Sequence, residues 1–357
     1  QGRVVYEIPS VQRLIDPQMA GPASDKWVAD FSGFQEPGEY ILQVEGSETK
    51  TVIKAPIKIS EFLYWDTMVP TLRAFYLQRS GQAINDKETG IIRSASHTQD
   101  GYVRDKRSGN IYFKDAAGGW YDSGNYAKFV TSHGIAIAEI LSVHEMDPKN
   151  MRYLKLNYPL NEPGLGGIPD FLHEVKFGAD WLLTMQRNDG AFYRKVAGMT
   201  YPSLIRPTDD LQERYIFGQT SQDTAIASAS LAIAARNFKH SDFGYGIKCL
   251  IAAERGWKYL EQHPNPVLDI EIDDDGGSRE YINTQGDAHY RLWTAIELYL
   301  ATGKSDYKRY IDTHYQQATL HPDTDYYSWK NPLSLGMTNY LLYSTTDDSS
   351  ESKTEKT

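Results

Sequence analysis

A chain of 357 residues is long enough for one large domain, or for a large domain and a small one, because single cores stop growing at roughly 250 to 300 residues. Its formal charge of −10 argues against nucleic acid and anionic membranes as partners, since binding phosphates requires Lys and Arg gathered on one face. The 25 Tyr and 7 Trp suit a neutral sugar better, because such rings stack while their polar atoms stay hydrated.

Residues 1–59 are predicted to form a small β-sandwich of the immunoglobulin-like class. Short β-type runs alternate with turn residues, and between Gly38 and Val44 the side chains of Tyr40, Leu42 and Val44 fall on one face. Only four to five strands are recognisable, fewer than the roughly seven of a complete domain of this class. We therefore expect the first strands to be missing.

Residues 60–344 change to a helical pattern, which predicts a mostly α domain. Eight helices are expected, over about 60–81, 124–144, 168–185, 221–239, 244–263, 286–302, 304–318 and 332–344. Many helices without β-α alternation favour a bundle or an α/α toroid. The polar tail, 345–357, is predicted to be disordered, and the single Cys249 rules out an intramolecular disulfide.

The segment AGGWYDSGNYAKFV, at 117–130, is the most informative motif. Asp122 and Asn125 lie three residues apart where a helix is predicted to begin, so their side chains could converge on one point and hold a water. Amides of the first helical turn would then keep the carboxylate ionised. The alternative is that Asp122 or Ser123 is only a helix N-cap and that Gly118 and Gly119 serve the turn.

This motif resembles the GGWYDAGDYxKF signature of glycoside hydrolase family 9. Four further segments resemble the family in the same order: ADFSGF and PGEYILQV within 29–44, RAFYLQRSG at 73–81, IPDFLHEVKFGADWLLTMQRNDGAFYRKV at 168–196 and GDAHYRLWTAIELYLATGKSDY at 286–307. The resemblance implies an immunoglobulin-like domain followed by an (α/α)6 barrel, a six-hairpin toroid that cleaves β-1,4-linked sugars with inversion. Inversion requires two carboxyl groups roughly 6.5 to 9.5 Å apart.

The chain departs from the family pattern at both catalytic positions. The resemblance places Asn125 where the family has its catalytic base, and Asp122 where a first Asp helps to hold the water. An amide cannot usefully accept a proton near neutral pH, and loss of a general base costs about 10² to 10⁴ in rate. The family's general acid, a late Glu, has no match before Thr357. Eight helices instead of twelve likewise predict a truncated or unusually short relative.

Several aromatic residues are predicted to contact the sugar. By the resemblance, Trp120, Tyr121 and Tyr126 line a groove, and His97 lies in a loop at the cleft, where it could bond a sugar hydroxyl. A lone His is more often a satisfied loop residue.

A second aromatic cluster is expected near the end of the chain. Tyr326, Tyr327 and Trp329 could stack on glucosyl rings or could pack against the protein. No cofactor is expected, although the run Asp273, Asp274 and Asp275 could ligate a structural Ca²⁺ or be a solvated acidic loop.

The sequence thus predicts an inverting hydrolase of β-1,4-linked glucan or a related oligosaccharide. The alternatives are a catalytically inactive barrel that only binds saccharide, a base-to-amide variant that binds without cleaving, and a helical toroid with no carbohydrate role. A polysaccharide substrate would imply an extracellular or periplasmic location, and neither nucleic acid nor membrane is an expected partner. Nothing in the sequence indicates the oligomeric state.

Overall fold

The computed structural model describes residues 3–8, 11–15, 25–46, 50–104, 109–159, 167–270, 280–317 and 327–344. The chain divides into two compact units, residues 1–68 and residues 69–357. Tyr326, the acidic run at 273–275 and the tail at 345–357 lie outside the described residues. The predictions made for them are therefore not addressed by the structure.

The first unit contains two antiparallel strand pairs, β1 (Val11–Ile15) with β2 (Asp25–Ala29), and β3 (Gly38–Glu45) with β4 (Val52–Ile59). Tyr40 and Leu42 are partly buried and pair with Ile57 and Ala55 of β4, as the predicted apolar face requires, whereas Val44 is exposed. None of the side chains whose burial is described between residues 3 and 68 is fully buried. These strands do not establish a closed sandwich, and the immunoglobulin-like domain stays a prediction.

Helices dominate the rest of the chain, and each of the eight predicted helices is present. Their bounds are α1 (Trp65–Leu77), α2 (Val130–Met146), α3 (Pro148–Met151), α4 (Asp170–Thr184), α5 (Ser221–Phe238), α6 (Phe243–Gln262), α7 (Ala288–Thr302), α8 (Ser305–His314) and α9 (Leu333–Tyr343). The short α3 was not predicted. No helix within the described ranges is long and apolar enough to cross a membrane.

Helix α5 lies at the centre of the second unit and packs against α2, α6 and α7. Its side chains are mostly small or apolar, and nearly all of them are buried. Neighbouring helices approach closely because of glycines: a Cβ at Gly134 of α2 would lie 2.5 Å from Ile226, and one at Gly256 of α6 would lie 2.0 Å from Ser228. The packed core is therefore built around this helix.

The second unit also contains β-structure that the sequence did not predict. A mixed sheet has the order β8 (Ile111–Phe113), β7 (Tyr102–Arg104), β11 (Arg214–Thr220), β10 (Tyr193–Gly198) and β9 (Lys128–Phe129), with β12 (Leu268–Asp269) also paired to β11. A small pair, β5 (Ile84–Asn85) and β6 (Ile92–Arg93), lies apart from it. Because β9 pairs with β10, α2 begins at Val130, and the predicted start near residue 124 was wrong.

Candidate active site

The loop that precedes β9 is held in place by backbone contacts with the rest of the unit. The Ser80 N–H donates to the Gly119 carbonyl at 2.8 Å, and the Tyr121 N–H donates to the Gln78 carbonyl at 2.9 Å. Gly119 has φ of +73°, and a Cβ there would lie 2.6 Å from the Trp181 ring, so only glycine fits. This loop is a rigid turn, as its sequence predicts.

Asp122 is a partly buried carboxylate held by a tyrosine distant in the sequence. The Tyr281 hydroxyl lies 3.1 Å from Oδ1 and 2.9 Å from Oδ2 of Asp122, to which it donates. Burial raises the pKa of Asp122, while hydrogen bonds from Ser132 and Tyr281 oppose that rise. The expected amides of a first helical turn do not hold this carboxylate, because α2 begins eight residues later, at Val130.

Asn125 uses its side-chain oxygen to close a local turn. Its Oδ1 accepts the Ala127 N–H at 3.0 Å, and the Asp122 N–H donates to the Ala127 carbonyl at 2.9 Å. The remaining side-chain atom, Nδ2, can only donate hydrogen bonds. Asn125 therefore offers no atom that could take a proton from water near neutral pH.

A cavity of about 270 Å³ opens beside Asp122. Its lining comprises Ala74, Phe75, Gln78, Trp120, Tyr121, Asp122, Ser132, His133 and Ala136. Within that described lining, Asp122 is the only carboxylate and Asn125 is absent, so the predicted convergence of the two side chains on one point is not seen at this cavity.

His133 in the cavity wall is neutral and fully bonded. Its Nδ1 lies 2.7 Å from the Phe129 carbonyl, to which it must donate, and its Nε2 accepts the Trp120 N–H at 2.7 Å. Burial lowers the pKa of His133 to about 3. This histidine therefore fixes the loop and is uncharged at neutral pH.

Trp120 and Tyr121 lie in the wall of the cavity with little exposed surface, 4% each. The Trp120 indole N–H donates to Glu174 at 2.7 Å, and its ring stacks on His133 with centroids 5.3 Å apart. The Tyr121 hydroxyl lies 2.8 Å from the Ser96 hydroxyl. Neither ring presents an open face here, and their contact with sugar stays a prediction.

The rings of His97 and Tyr126 lie next to Tyr121, with their centroids 5.8 Å apart, and each residue is hydrogen-bonded to other groups. The Nε2 of His97 donates to Asp210 at 3.2 Å, and its Nδ1 accepts the Tyr121 hydroxyl at 2.7 Å. Burial and the nearby Arg214 lower the pKa of His97 to about 4, so it is neutral at pH 7. The Tyr126 hydroxyl donates to the Ile205 carbonyl. Since both ring nitrogens of His97 are engaged, this arrangement matches the alternative of a satisfied loop histidine.

Trp329 reaches the site through Tyr281. The Trp329 and Tyr281 rings meet edge to face at 5.1 Å, and Tyr281 also meets Phe129 edge to face at 4.9 Å. Sequence reasoning missed Tyr281, because a single Tyr after an acidic loop carries no distinguishing pattern. Tyr281 contacts both Asp122 and Trp329, and so links the region of Trp329 to Asp122.

Backbone strain is concentrated around these residues. His97, Tyr126 and Tyr281 have φ of +55°, +59° and +58°, and they are three of the five described non-glycine residues with positive φ. Each such conformation costs of order 1–3 kcal/mol and persists only where the surroundings enforce it. Strain of this kind clusters at functional sites.

Within the described ranges, no group of three or more His, Cys, Asp or Glu residues is placed to hold a metal ion. The acidic run proposed for Ca²⁺ lies outside those ranges.

Comparison with known proteins points to one family. The model of a family described as glycosyl hydrolase family 9 matches residues 64–356. Endoglucanase D of Acetivibrio thermocellus is 32% identical over 320 residues, covering 88% of this chain and 49% of that protein. A xyloglucan-specific endo-β-1,4-glucanase of Bacteroides ovatus is 28% identical and covers 87% of this chain and 53% of its own length. The chain thus spans about half the length of the curated relatives it matches.

A solved structure extends the comparison to the fold. The crystal structure of the family 9 endoglucanase J30 superimposes with a TM-score of 0.77 at 34% identity, covering 89% of this chain and 59% of that one. This likeness is consistent with a helical α/α barrel in the present chain.

Proposed function

The chain belongs to glycosyl hydrolase family 9, and we propose that it acts in the inverting hydrolysis of a β-1,4-linked glucan or a related oligosaccharide. The observation that carries the proposal is Asp122, the carboxylate that faces the 270 Å³ cavity and accepts a hydrogen bond from Tyr281, shared between its two oxygens. Relatives named as an endoglucanase and as a xyloglucan-specific endo-β-1,4-glucanase support the substrate class. A polysaccharide substrate would place this activity in the extracellular space or the periplasm.

Asp122 and Asn125 have separate roles in this proposal. Asp122 orients the water, because a carboxylate accepts its hydrogen bonds and burial limits competition from bulk solvent. By the resemblance, Asn125 occupies the position of the family's base, although it lies outside the described lining of the cavity, and its amide can donate a hydrogen bond but cannot take a proton. Water would be positioned but poorly activated, at a cost of about 10² to 10⁴ in rate.

The second candidate is saccharide binding without cleavage, as an inactive barrel or as a base-to-amide variant. It is favoured by Asn125 itself, whose Oδ1 is already engaged by the Ala127 N–H. The same cavity and the same aromatic wall would serve either function.

The test is to compare the longest form of the gene product with its Asn125→Asp variant by release of reducing sugar from a soluble β-1,4-glucan, because a restored base can raise the rate only in a form that also contains a general acid. A carboxylate at 125 can keep the bond from Ala127 with one oxygen and present the other to water, so we expect a gain of about 10² to 10⁴. Asn125→Ala is the matched control, which removes the amide without adding a base. If the chain and Asn125→Asp both stay inactive yet bind cello-oligosaccharides, the binding function replaces the hydrolytic one. Absence of binding to β-glucan, chitosan and xylan oligomers would contradict both.

A further inference from the structure

The segment that carries Asp122 and Asn125 is held at its two ends by buried cations. At its start, the Lys128 ammonium donates to the carbonyls of Ala116 and Gly118, both at 2.8 Å. At its end, the Arg214 guanidinium donates through Nη2 to the Tyr126 carbonyl at 2.5 Å. Two side chains therefore fix three carbonyls on either side of Asp122.

One carboxylate joins the two cations. Asp100 Oδ2 lies 2.7 Å from the Lys128 ammonium, and Asp100 Oδ1 lies 2.8 Å from Arg214 Nε. The Asp100 backbone carbonyl also accepts the Ala116 N–H at 2.9 Å. All three side chains are almost completely buried. Although burial opposes it, the paired cations lower the pKa of Asp100, which keeps it ionised.

Fold stability alone is a weak reason for such a network. Replacing a buried ion pair by apolar residues of similar volume is often neutral or stabilising, because the desolvation of charges offsets their attraction. What apolar packing cannot do is hold specific carbonyl oxygens. The Lys128 ammonium donates hydrogen bonds to two carbonyls and forms an ion pair with the Asp100 carboxylate.

We propose that Lys128, Asp100 and Arg214 are positioning residues of the candidate active site, which fix the 116–126 segment so that Asp122 meets Tyr281 beside the cavity. This role rests on the proposed saccharide function of Asp122. None of the three residues belongs to the described lining of the cavity, and they act through the backbone of the segment.

The decisive comparison is between Lys128→Met and Lys195→Met. Lys195 is a matched control: it is also a fully buried lysine of the same sheet, and its ammonium lies 5.0 Å from the Phe217 ring centroid. We would measure amide hydrogen exchange along the chain and binding of cellopentaose by calorimetry. At equal global stability, Lys128→Met should speed exchange at Tyr121 and Asp122 by about tenfold more than Lys195→Met, and should weaken cellopentaose binding by about tenfold.

A second variant keeps the proposal testable if Lys128→Met does not fold. Arg214→Lys preserves a cation beside Asp100 but lacks the guanidinium fork, so it should lose the bond to Tyr126. Faster exchange and weaker binding should again be local to the segment.

The outcomes test the positioning role of the triad and the saccharide function of the site separately. If the lysine variants alter exchange equally and evenly over the chain, the triad is only structural and the positioning role is wrong, whether or not sugar binds. If the unaltered chain binds no cellopentaose, the saccharide function fails, while the exchange pattern still decides whether the triad fixes the segment.

Discussion

Helix α5 and the 116–126 segment both lie in the second unit, but different forces hold them. The helix is almost entirely buried, whereas Ser123 and Gly124 of the segment are exposed. Helix α5 is buried by small and apolar side chains that pack against three other helices. The segment is held by backbone hydrogen bonds and by the side chains of Lys128 and Arg214, which donate to its carbonyls. The first arrangement tolerates any residue of suitable volume, whereas the second depends on particular atoms. The candidate site therefore lies where specific hydrogen bonds fix the positions of individual atoms.

The largest effect on stability is expected in the helix. Leu231 is fully buried in α5, and Leu231→Ala should reduce the free energy of unfolding by about 2–5 kcal/mol, because it leaves a cavity in a close-packed core. Ile251→Ala on the exposed side of α6 is the control and should change it by less than about 0.5 kcal/mol. Denaturation in urea would measure both. A marked change in the pKa of Asp122 in Leu231→Ala would show that the packing of α5 also controls the environment of Asp122, contrary to this account.

The next effect concerns Lys128 and pH. Burial lowers the pKa of Lys128 to about 8 from an ordinary value of 10.5. Between these values the unfolded chain binds the proton more tightly, so the contribution of Lys128 to stability should rise with pH, by on the order of 1 kcal/mol per pH unit. The measurement is the difference in unfolding free energy between the unaltered chain and Lys128→Met from pH 7 to 10. A difference that falls over this range would mean that the fold binds this proton more tightly than the unfolded chain does, and would contradict the lowered pKa of Lys128.

The smallest effect on stability is expected at Tyr281. Tyr281→Phe removes one hydrogen bond and should cost about 0.5–1.5 kcal/mol, yet it should raise the pKa of Asp122, because that bond favours the ionised carboxylate. Carboxyl carbon shifts followed by NMR across pH would show the change. Tyr201→Phe, which removes a 2.7 Å hydrogen bond to Glu280, is the control and should leave the titration of Asp122 unaltered. An unchanged pKa of Asp122 in Tyr281→Phe would mean that the hydrogen bond from Tyr281 does not influence the ionisation of this carboxylate.

The same contrast explains what could be predicted from sequence. Helices such as α4 and α5 follow from periodicity, a local property, and all eight predicted helices are present. The start of α2 was misplaced because the pairing of Lys128 with Val196 depends on a strand 68 residues away. Tyr281 was missed for the same reason, and the partners of His97 could not be named from sequence, since these contacts join residues distant in sequence. The motif identified the family and the position of Asp122, but not what surrounds it.

The central claim is that the Asp122 cavity binds a β-1,4-linked saccharide. The most direct test is calorimetric titration of cellopentaose into the unaltered chain and into Asp122→Ala. The account predicts measurable binding to the chain and an affinity weaker by about tenfold or more in the variant, because a hydrogen-bonding carboxylate is lost from the cavity. Equal affinity in the two proteins, or no binding by the unaltered chain, would contradict it.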